Sequence, residues 1–236
     1  MKLAATANHR ERQEELGQFL TALPVADFMA SMFGPLPRTV RLLDAGAGAG
    51  ALTSAFVFRC CEKRDGIRAI DATLYELDDG ILDALAATMR DCERRCSDVG
   101  IRFTFTIHLA DFIQEMSARL AGDLFGTTPP AFDAAIANPP YRKINTDSSE
   151  RRALRSVGVE TSNLYTGFIA LIQRLLVPGG QLVGITPRSF CNGPYFRPFR
   201  EDFLSQLELR RLHVFESRQA AFRDDSVLQE NIFFMR

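Results

Sequence analysis

The chain has 236 residues, within the range of one α/β domain, and its 46% hydrophobic and 24% charged content is that of a soluble globular protein. No apolar run approaches the roughly 18 residues of a membrane-spanning helix, and the start, MKLAATANHRERQEELGQ, has no apolar core for a signal peptide. The net charge of −1 argues neither for nor against a nucleic-acid partner, but it is unevenly spread: −5 over residues 1–141 and +4 over residues 142–236, so a polyanion would meet the second half first.

In chain order, strand and helix patterns alternate without internal repeats. TVRLLDAG reads as a buried strand, and GALTSAFVFRCCEKR as a helix with apolar residues at helical spacing. IRAIDATLYE is a second strand, followed by the helix DDGILDALAATMRDCERRC, with Asp78 or Asp79 as its cap. RFTFTIHLAD and FDAAIAN are the third and fourth strands. LYTGFIALIQRLL is a helix stopped by Pro178-Gly179-Gly180, and QLVGITP is the fifth strand. RPFREDFLSQ, LRRLHVF and VLQENIFFMR give a last helix and two strands. The expected fold is α/β and Rossmann-like: a mostly parallel seven-stranded sheet with helices on both faces. Five cysteines, with Cys60 and Cys61 adjacent, suit reduced thiols and a cytoplasmic location. Cys92, Cys96 and His108 could be read as metal ligands, but no second ligand pair has metal spacing, so no metal is expected.

In open parallel sheets, ligands bind at the carboxyl ends of the strands. Here the first four strand ends read Asp44-Ala45-Gly46, Tyr75-Glu76-Leu77, Ala110-Asp111-Phe112 and Asn138-Pro139-Pro140-Tyr141. The first loop, DAGAGAG, places Gly46, Gly48 and Gly50 between strand and helix, where a backbone can approach a ligand closely. It lacks the Lys-Ser/Thr of a phosphate-cradling loop. It could imitate a dinucleotide fingerprint, but Asp44 would face a pyrophosphate, and the next strand-end acid, Glu76, comes 30 residues after Gly46 rather than about 20. A cofactor with a positive centre, a ribose and no phosphate fits better, and S-adenosylmethionine is such a molecule. Glu76 would then accept from the ribose hydroxyls, Asp111 from the cofactor's adenine amine, and Phe112 would lie against the adenine face.

Asn138-Pro139-Pro140-Tyr141 suits transfer to a planar N–H₂ group. Such an amine is a poor nucleophile until its lone pair is localised by acceptors on its N–H bonds. Asn138 Oδ1 and the Pro139 carbonyl supply two acceptors, and the prolines hold the backbone rigid. Tyr141 offers a face for stacking, worth roughly 1–3 kcal/mol against the few kcal/mol needed to extrude a base from a duplex.

With these residues in place, the chain resembles the gamma-class adenine-N6 DNA methyltransferases, the TaqI-like enzymes of restriction–modification systems. LGQFLTALPVADFMASMF is similar to the family segment that closes over the methionine part of the cofactor, with Thr21 the matching residue and Ala22 where the family often has proline. LLDAGAGAGALTSAF, ADF and ANPPY match the cofactor and catalytic motifs, and Asn163-Leu164-Tyr165 marks the next helix. FESRQAAFRDDSVLQENIFF resembles the region where an aromatic ring touches the flipped base, with Phe222 the best match and Phe215 the second. The resemblance implies one catalytic domain over residues 1–236, with residues 1–38 as the cofactor-closing segment. It implies catalytic Asn138, Pro139, Pro140 and Tyr141, and cofactor contacts from Thr21, Asp44, Ala45, Gly46, Gly48, Glu76, Leu77, Asp111, Phe112 and Asn138. Family members usually continue into a target-recognition domain, which a chain stopping at Arg236 is expected to lack. Double-stranded DNA, bound weakly without that reader, a recognition domain or subunit, and a cognate restriction endonuclease are the implied partners, with no membrane. Enzymes that methylate a protein glutamine amide or a ribosomal RNA guanine share NPPY and stay as alternatives. A non-catalytic subunit of the same fold and a nicotinamide-dependent oxidoreductase are alternatives of other classes.

Overall fold

The computed structural model describes residues 21–63, 65–122, 129–192, 194–214 and 231–235. The strands are β1 (Thr39–Asp44), β2 (Ala69–Glu76), β3 (Arg102–Leu109), β4 (Phe132–Ala137), β5 (Leu176–Pro187), β6 (Arg211–Val214) and β7 (Asn231–Met235). They form one seven-stranded sheet in the order β3-β2-β1-β4-β5-β7-β6. The first five strands of that order form a parallel block, and β7 runs antiparallel to both β5 and β6. The helices are α1 (Leu23–Ser31), α2 (Ala51–Lys63), α3 (Leu82–Asp98), α4 (Phe112–Ala121), α5 (Ser149–Ser156), α6 (Leu164–Leu175) and α7 (Arg197–Gln206).

The inner strands of the parallel block are largely buried on both faces, the edge strand β3 exposes Arg102, Thr104 and Thr106, and the period of two is visible in where the side chains go. Leu42 and Ile136 pack on one side with Met29 of α1, Phe56 of α2 and Met89 of α3. Leu43, Ala135 and Ala137 pack on the other with Ile113 of α4, Leu154 of α5, Ile169 of α6 and Phe203 of α7. Two helical layers therefore cover the parallel block, as the strand–helix alternation predicts. The chain winds outward from β1 to β3 and then returns to β4 on the other side of β1. The strand order reverses there, and a crevice opens between the carboxyl ends of β1 and β4.

Three helices lie outside the elements expected from the sequence. α1 starts after Ala22 with Pro24 in its first turn. α4 is capped by Asp111, whose carboxylate accepts from the Gln114 amide at 3.1 Å. α5 is capped by Ser148 and buries only Leu154, so it lacks an apolar stripe. The expected stop at Pro178-Gly179-Gly180 is also different: α6 ends at Leu175 and those residues already belong to β5. Gly179 has φ of 79°, and pairing with β4 jumps from Phe132–Leu176 to Ala134–Gln181. The glycines thus make an irregularity within an extended segment rather than a separate turn. Asp78 caps a single 3₁₀ turn, Asp79–Ile81, accepting from the Gly80 amide at 3.0 Å.

Candidate active site

The crevice at the strand ends is a cleft. Ala45, Gly46 and Gly48 line it from the loop after β1, and Glu76 and Leu77 from the end of β2. Asp111 and Phe112 come from the start of α4, and Asn138 and Pro140 from the end of β4. Nine of the residues expected at the site thus share one cavity wall. Parallel register brings them level: Asp44 lies opposite Leu74 of β2, and Leu43 opposite Ala135 of β4.

The glycine loop is held by the neighbouring strand. Gly48 has φ of 54°, a left-handed conformation that glycine adopts without steric cost. Its amide donates to Glu76 Oε2 at 2.8 Å, while Glu76 Oε1 accepts from the amides of Leu77 and Asp78, each at 2.8 Å. The buried Glu76 carboxylate therefore braces two loops in addition to facing the cleft.

Asp44 occupies a different place from its sequence neighbours. It lies beneath the cleft rather than on its wall, fully buried, with Oδ2 accepting from Thr53 Oγ1 at 2.8 Å. Its Oδ1 is buried without a hydrogen-bond partner among the described residues. Burial pushes the carboxyl up to about 7, opposed by the Thr53 hydroxyl and reinforced by the Glu76 charge.

At the β4 end, Asn138 joins two distant parts of the chain. Its Nδ2 donates to Thr21 Oγ1 at 3.1 Å, and its Oδ1 accepts from the Tyr141 hydroxyl at 2.8 Å. Thr21 thus reaches the site through Asn138. Pro139 is buried, and Tyr141 sits behind the cleft wall with its ring edge-on to Tyr165, centroids 6.2 Å apart. Burial raises the Tyr141 phenol well above its usual range, so it stays protonated. Phe215 and Phe222 lie outside the described residues.

The segment after Tyr141 is pinned by Asn163-Leu164-Tyr165. Lys143 and Asn163 form an antiparallel bridge, the Leu164 amide donates to the Arg142 carbonyl at 2.8 Å, and the Ile144 amide to the Ser162 carbonyl at 2.8 Å. The structure also adds cleft residues that were not expected, among them Ile81, Arg142, Glu150, Leu164 and Phe168. Phe168 touches Phe112, centroids 5.2 Å apart, and stands one turn after Leu164 on α6. That spacing reads as ordinary core, and nothing in the sequence separates a cleft wall from it. Arg142 directly follows the motif and was within reach of inspection.

The donor set fits an uncharged-sugar nucleoside rather than a phosphate. Glu76 and Asp111 are acceptors, while Leu77, Ile81, Phe112 and Phe168 supply apolar surface for a purine. Among the described lining residues Arg142 is the single cation, and it is paired with Glu150 at 3.0 Å.

This sheet order and cleft define the fold of the class I methyltransferases. The chain superposes with a TM-score of 0.67 on a Listeria monocytogenes protein described as a class I S-adenosylmethionine-dependent methyltransferase, at 17% identity over 93% of this chain and 61% of that one. A family model described as Eco57I restriction-modification methylase matches residues 103–222. The Type II methyltransferase M.PstI of Providencia stuartii is 41% identical over 222 residues, 94% of this chain and 43% of its own length. The Type II methyltransferase M.BsuBI of Bacillus subtilis is 41% identical over 225 residues, 94% of this chain and 44% of its own. The chain belongs to the Eco57I restriction-modification methylase family, and it spans less than half the length of these two relatives. Among the described residues no helix is long and apolar enough to cross a membrane.

Proposed function

We propose that this chain carries the catalytic machinery of a DNA methyltransferase that uses S-adenosylmethionine and modifies the N6 amine of an adenine extruded from double-stranded DNA. The observation that carries the reading is the position of Asn138: directly after β4, it lines the same cleft as Glu76 and Asp111. Family membership supports the restriction–modification setting. The residues read as one catalytic domain, with residues 1–38 as the cofactor-closing segment.

When bound, S-adenosylmethionine supplies an electrophilic methyl group on a sulfonium. Glu76 and Asp111 would accept from its ribose hydroxyls and adenine amine, and Leu77, Ile81 and Phe112 would flank the purine. Asn138 Oδ1, in exchange for the Tyr141 hydroxyl, accepts one N–H of the target amine, and the Pro139 carbonyl accepts the other. These two acceptors would localise the amine lone pair on nitrogen, and positioning would supply most of the rate. The nitrogen releases its proton to water, so no strong base is needed. Tyr141 presents its ring to the extruded base. The reading implies a recognition domain or subunit that reads DNA sequence, and a cognate restriction endonuclease, as partners.

The test is to incubate the chain with methyl-labelled S-adenosylmethionine and duplex DNA and to analyse the digested nucleosides. N6-methyladenine is expected, and Asn138→Ala should reduce it by on the order of 10²–10³-fold while S-adenosylhomocysteine still binds. Label in cytosine or in protein, with none in adenine, would overturn the assignment.

A further inference from the structure

Resting on the cofactor reading above, we propose that Arg142 and Glu150 form an ion-pair wall on the adenine side of the cofactor cleft. This pair is a positioning device for the cofactor, linking it to the catalytic Asn138–Tyr141 segment.

Three observations converge. First, both side chains line the cleft, and they come from different parts of the chain: Arg142 from the residue after Tyr141, Glu150 from the first turn of α5. Second, the pair is buried at its acid end, although the Arg142 side chain is 46% exposed. Glu150 is only 15% exposed and receives Arg142 Nη2 at 3.0 Å on Oε1 and the Ser149 hydroxyl at 3.2 Å on Oε2. Burial alone would raise its carboxyl, but its own backbone amide, Ser148, Arg142 and Ser149 outweigh burial and hold it below the usual range. An exposed pair of this kind contributes little, whereas a half-buried pair held by further donors keeps its geometry.

Third, the pair shares its cleft with Asp111 and Phe112, and the packing of α5 holds Glu150 there. Glu150 and Leu154 are four residues apart on α5 and share one face. Leu154 is wedged against Gly167 of α6, where an added Cβ would lie 2.8 Å from Leu154 Cδ1 and 3.5 Å from Ile113 Cδ1. Leu154 and Ile113 therefore meet at Gly167, which ties α5, and Glu150 one turn before Leu154, to α4 and α6. Arg142 for its part has a fixed backbone, because its carbonyl accepts from the Leu164 amide at 2.8 Å. The ion pair therefore joins the segment after β4 to α5 along the cleft that Asp111 and Phe112 also line. Nothing in the chemistry of methyl transfer needs a guanidinium there. A phosphate-free cofactor gives it no anion of its own on this side, and Glu150 supplies one.

The consequence is specific to the nucleoside half of the ligand. Arg142→Gln, Glu150→Gln and the double variant are compared with the wild-type chain by titration with S-adenosylhomocysteine and, separately, with adenosine. Each single substitution should weaken both ligands by the same factor, about tenfold, or 1.4 kcal/mol. The double variant should be no worse than the worse single, since the two residues act as one wall. Thr21→Ala, in the segment read as closing over the methionine part of the cofactor, should weaken S-adenosylhomocysteine and leave adenosine unchanged. Thermal unfolding is followed in parallel. Variants that lose thermal stability yet bind both ligands as the wild type does would show a purely structural pair and overturn the proposal, as would additive losses in the double variant. A folded wild-type chain that binds neither ligand would overturn the cofactor reading itself, and this wall with it.

Discussion

The Tyr141 hydroxyl donates to Asn138 Oδ1 at 2.8 Å, so the acceptor best placed for a target amine is held by a side chain three residues further on. The same hydroxyl lies 3.3 Å from the Ile185 carbonyl on β5, a second acceptor to which it can turn when Asn138 is engaged. This relationship separates the two parts of the tyrosine. Tyr141→Phe removes a competitor for Asn138 and keeps the ring, and should change methyl transfer by less than about threefold. Tyr141→Ala removes the stacking face, worth roughly 1–3 kcal/mol, and should cost ten- to a hundredfold or more. Steady-state rates with the two variants decide the matter: equal losses would assign the function to the hydroxyl.

Glu76 does two jobs that one variant can resolve. Three backbone amides converge on its carboxylate, from Gly48, Leu77 and Asp78. Glu76→Gln sets an N–H₂ group against at least one of those amides, leaving a buried donor unsatisfied at a cost of about 1–3 kcal/mol. The urea midpoint should fall accordingly. Affinity for S-adenosylhomocysteine should fall as well, because the ribose loses an acceptor. A variant that loses stability but binds the ligand normally would make Glu76 a loop brace alone.

Which parts of this site are legible in the sequence follows from how each residue is held. Strand ends stand out because polar groups interrupt apolar runs, and Glu76, Asp111 and Asn138 are found that way. Arg142–Glu150 is not legible, because its partners meet through the packing of α5, a helix with a single buried residue, Leu154. The link from Thr21 to Asn138 spans 117 residues of sequence, and only a resemblance points to it. The residues that pin the segment after Tyr141 work through backbone hydrogen bonds, which leave no side-chain pattern to read. Asp44 shows the opposite case. It sits at a strand end like the others, yet its side chain turns inward to Thr53 and below the cleft. Adjacency in sequence placed it at the site, and its direction could only be seen in the fold.

Gly50 marks where the cofactor loop meets α3. It has φ of 85°, and an added Cβ would lie 2.9 Å from Met89 Cε, 3.0 Å from Leu85 Cδ1 and 3.2 Å from Thr88 Cγ2. Gly50→Ala combines left-handed strain of about 1–2 kcal/mol with overpacking of about 1–3 kcal/mol. Met89 can yield at its flexible end, so the sum should be near 2–4 kcal/mol. Chemical denaturation would measure it, and a loss below about 1 kcal/mol would mean that α3 moves away more easily than its packing implies.

Asp44 should make stability depend on pH in a direction opposite to that of a salt-bridged carboxylate. Burial raises its folded pKa from 3.8 to about 7, above its unfolded value. The native state therefore binds the proton more tightly than the unfolded chain does, and stability from this group is lost as pH rises from about 4 to about 7. Below that window both states are protonated and the group contributes nothing; above it the native state carries the full cost of a buried charge whose Oδ1 has no hydrogen-bond partner. Asp44→Asn keeps an oxygen for Thr53 and removes the titration. The difference in unfolding free energy between variant and wild type should then grow in favour of the variant between about pH 5 and about pH 7. Subtracting the two curves cancels the carboxylates they share. A difference that stays constant across this range would place the Asp44 carboxyl at an ordinary pKa, ionised throughout, and its negative charge would then have to be balanced from the cleft above it.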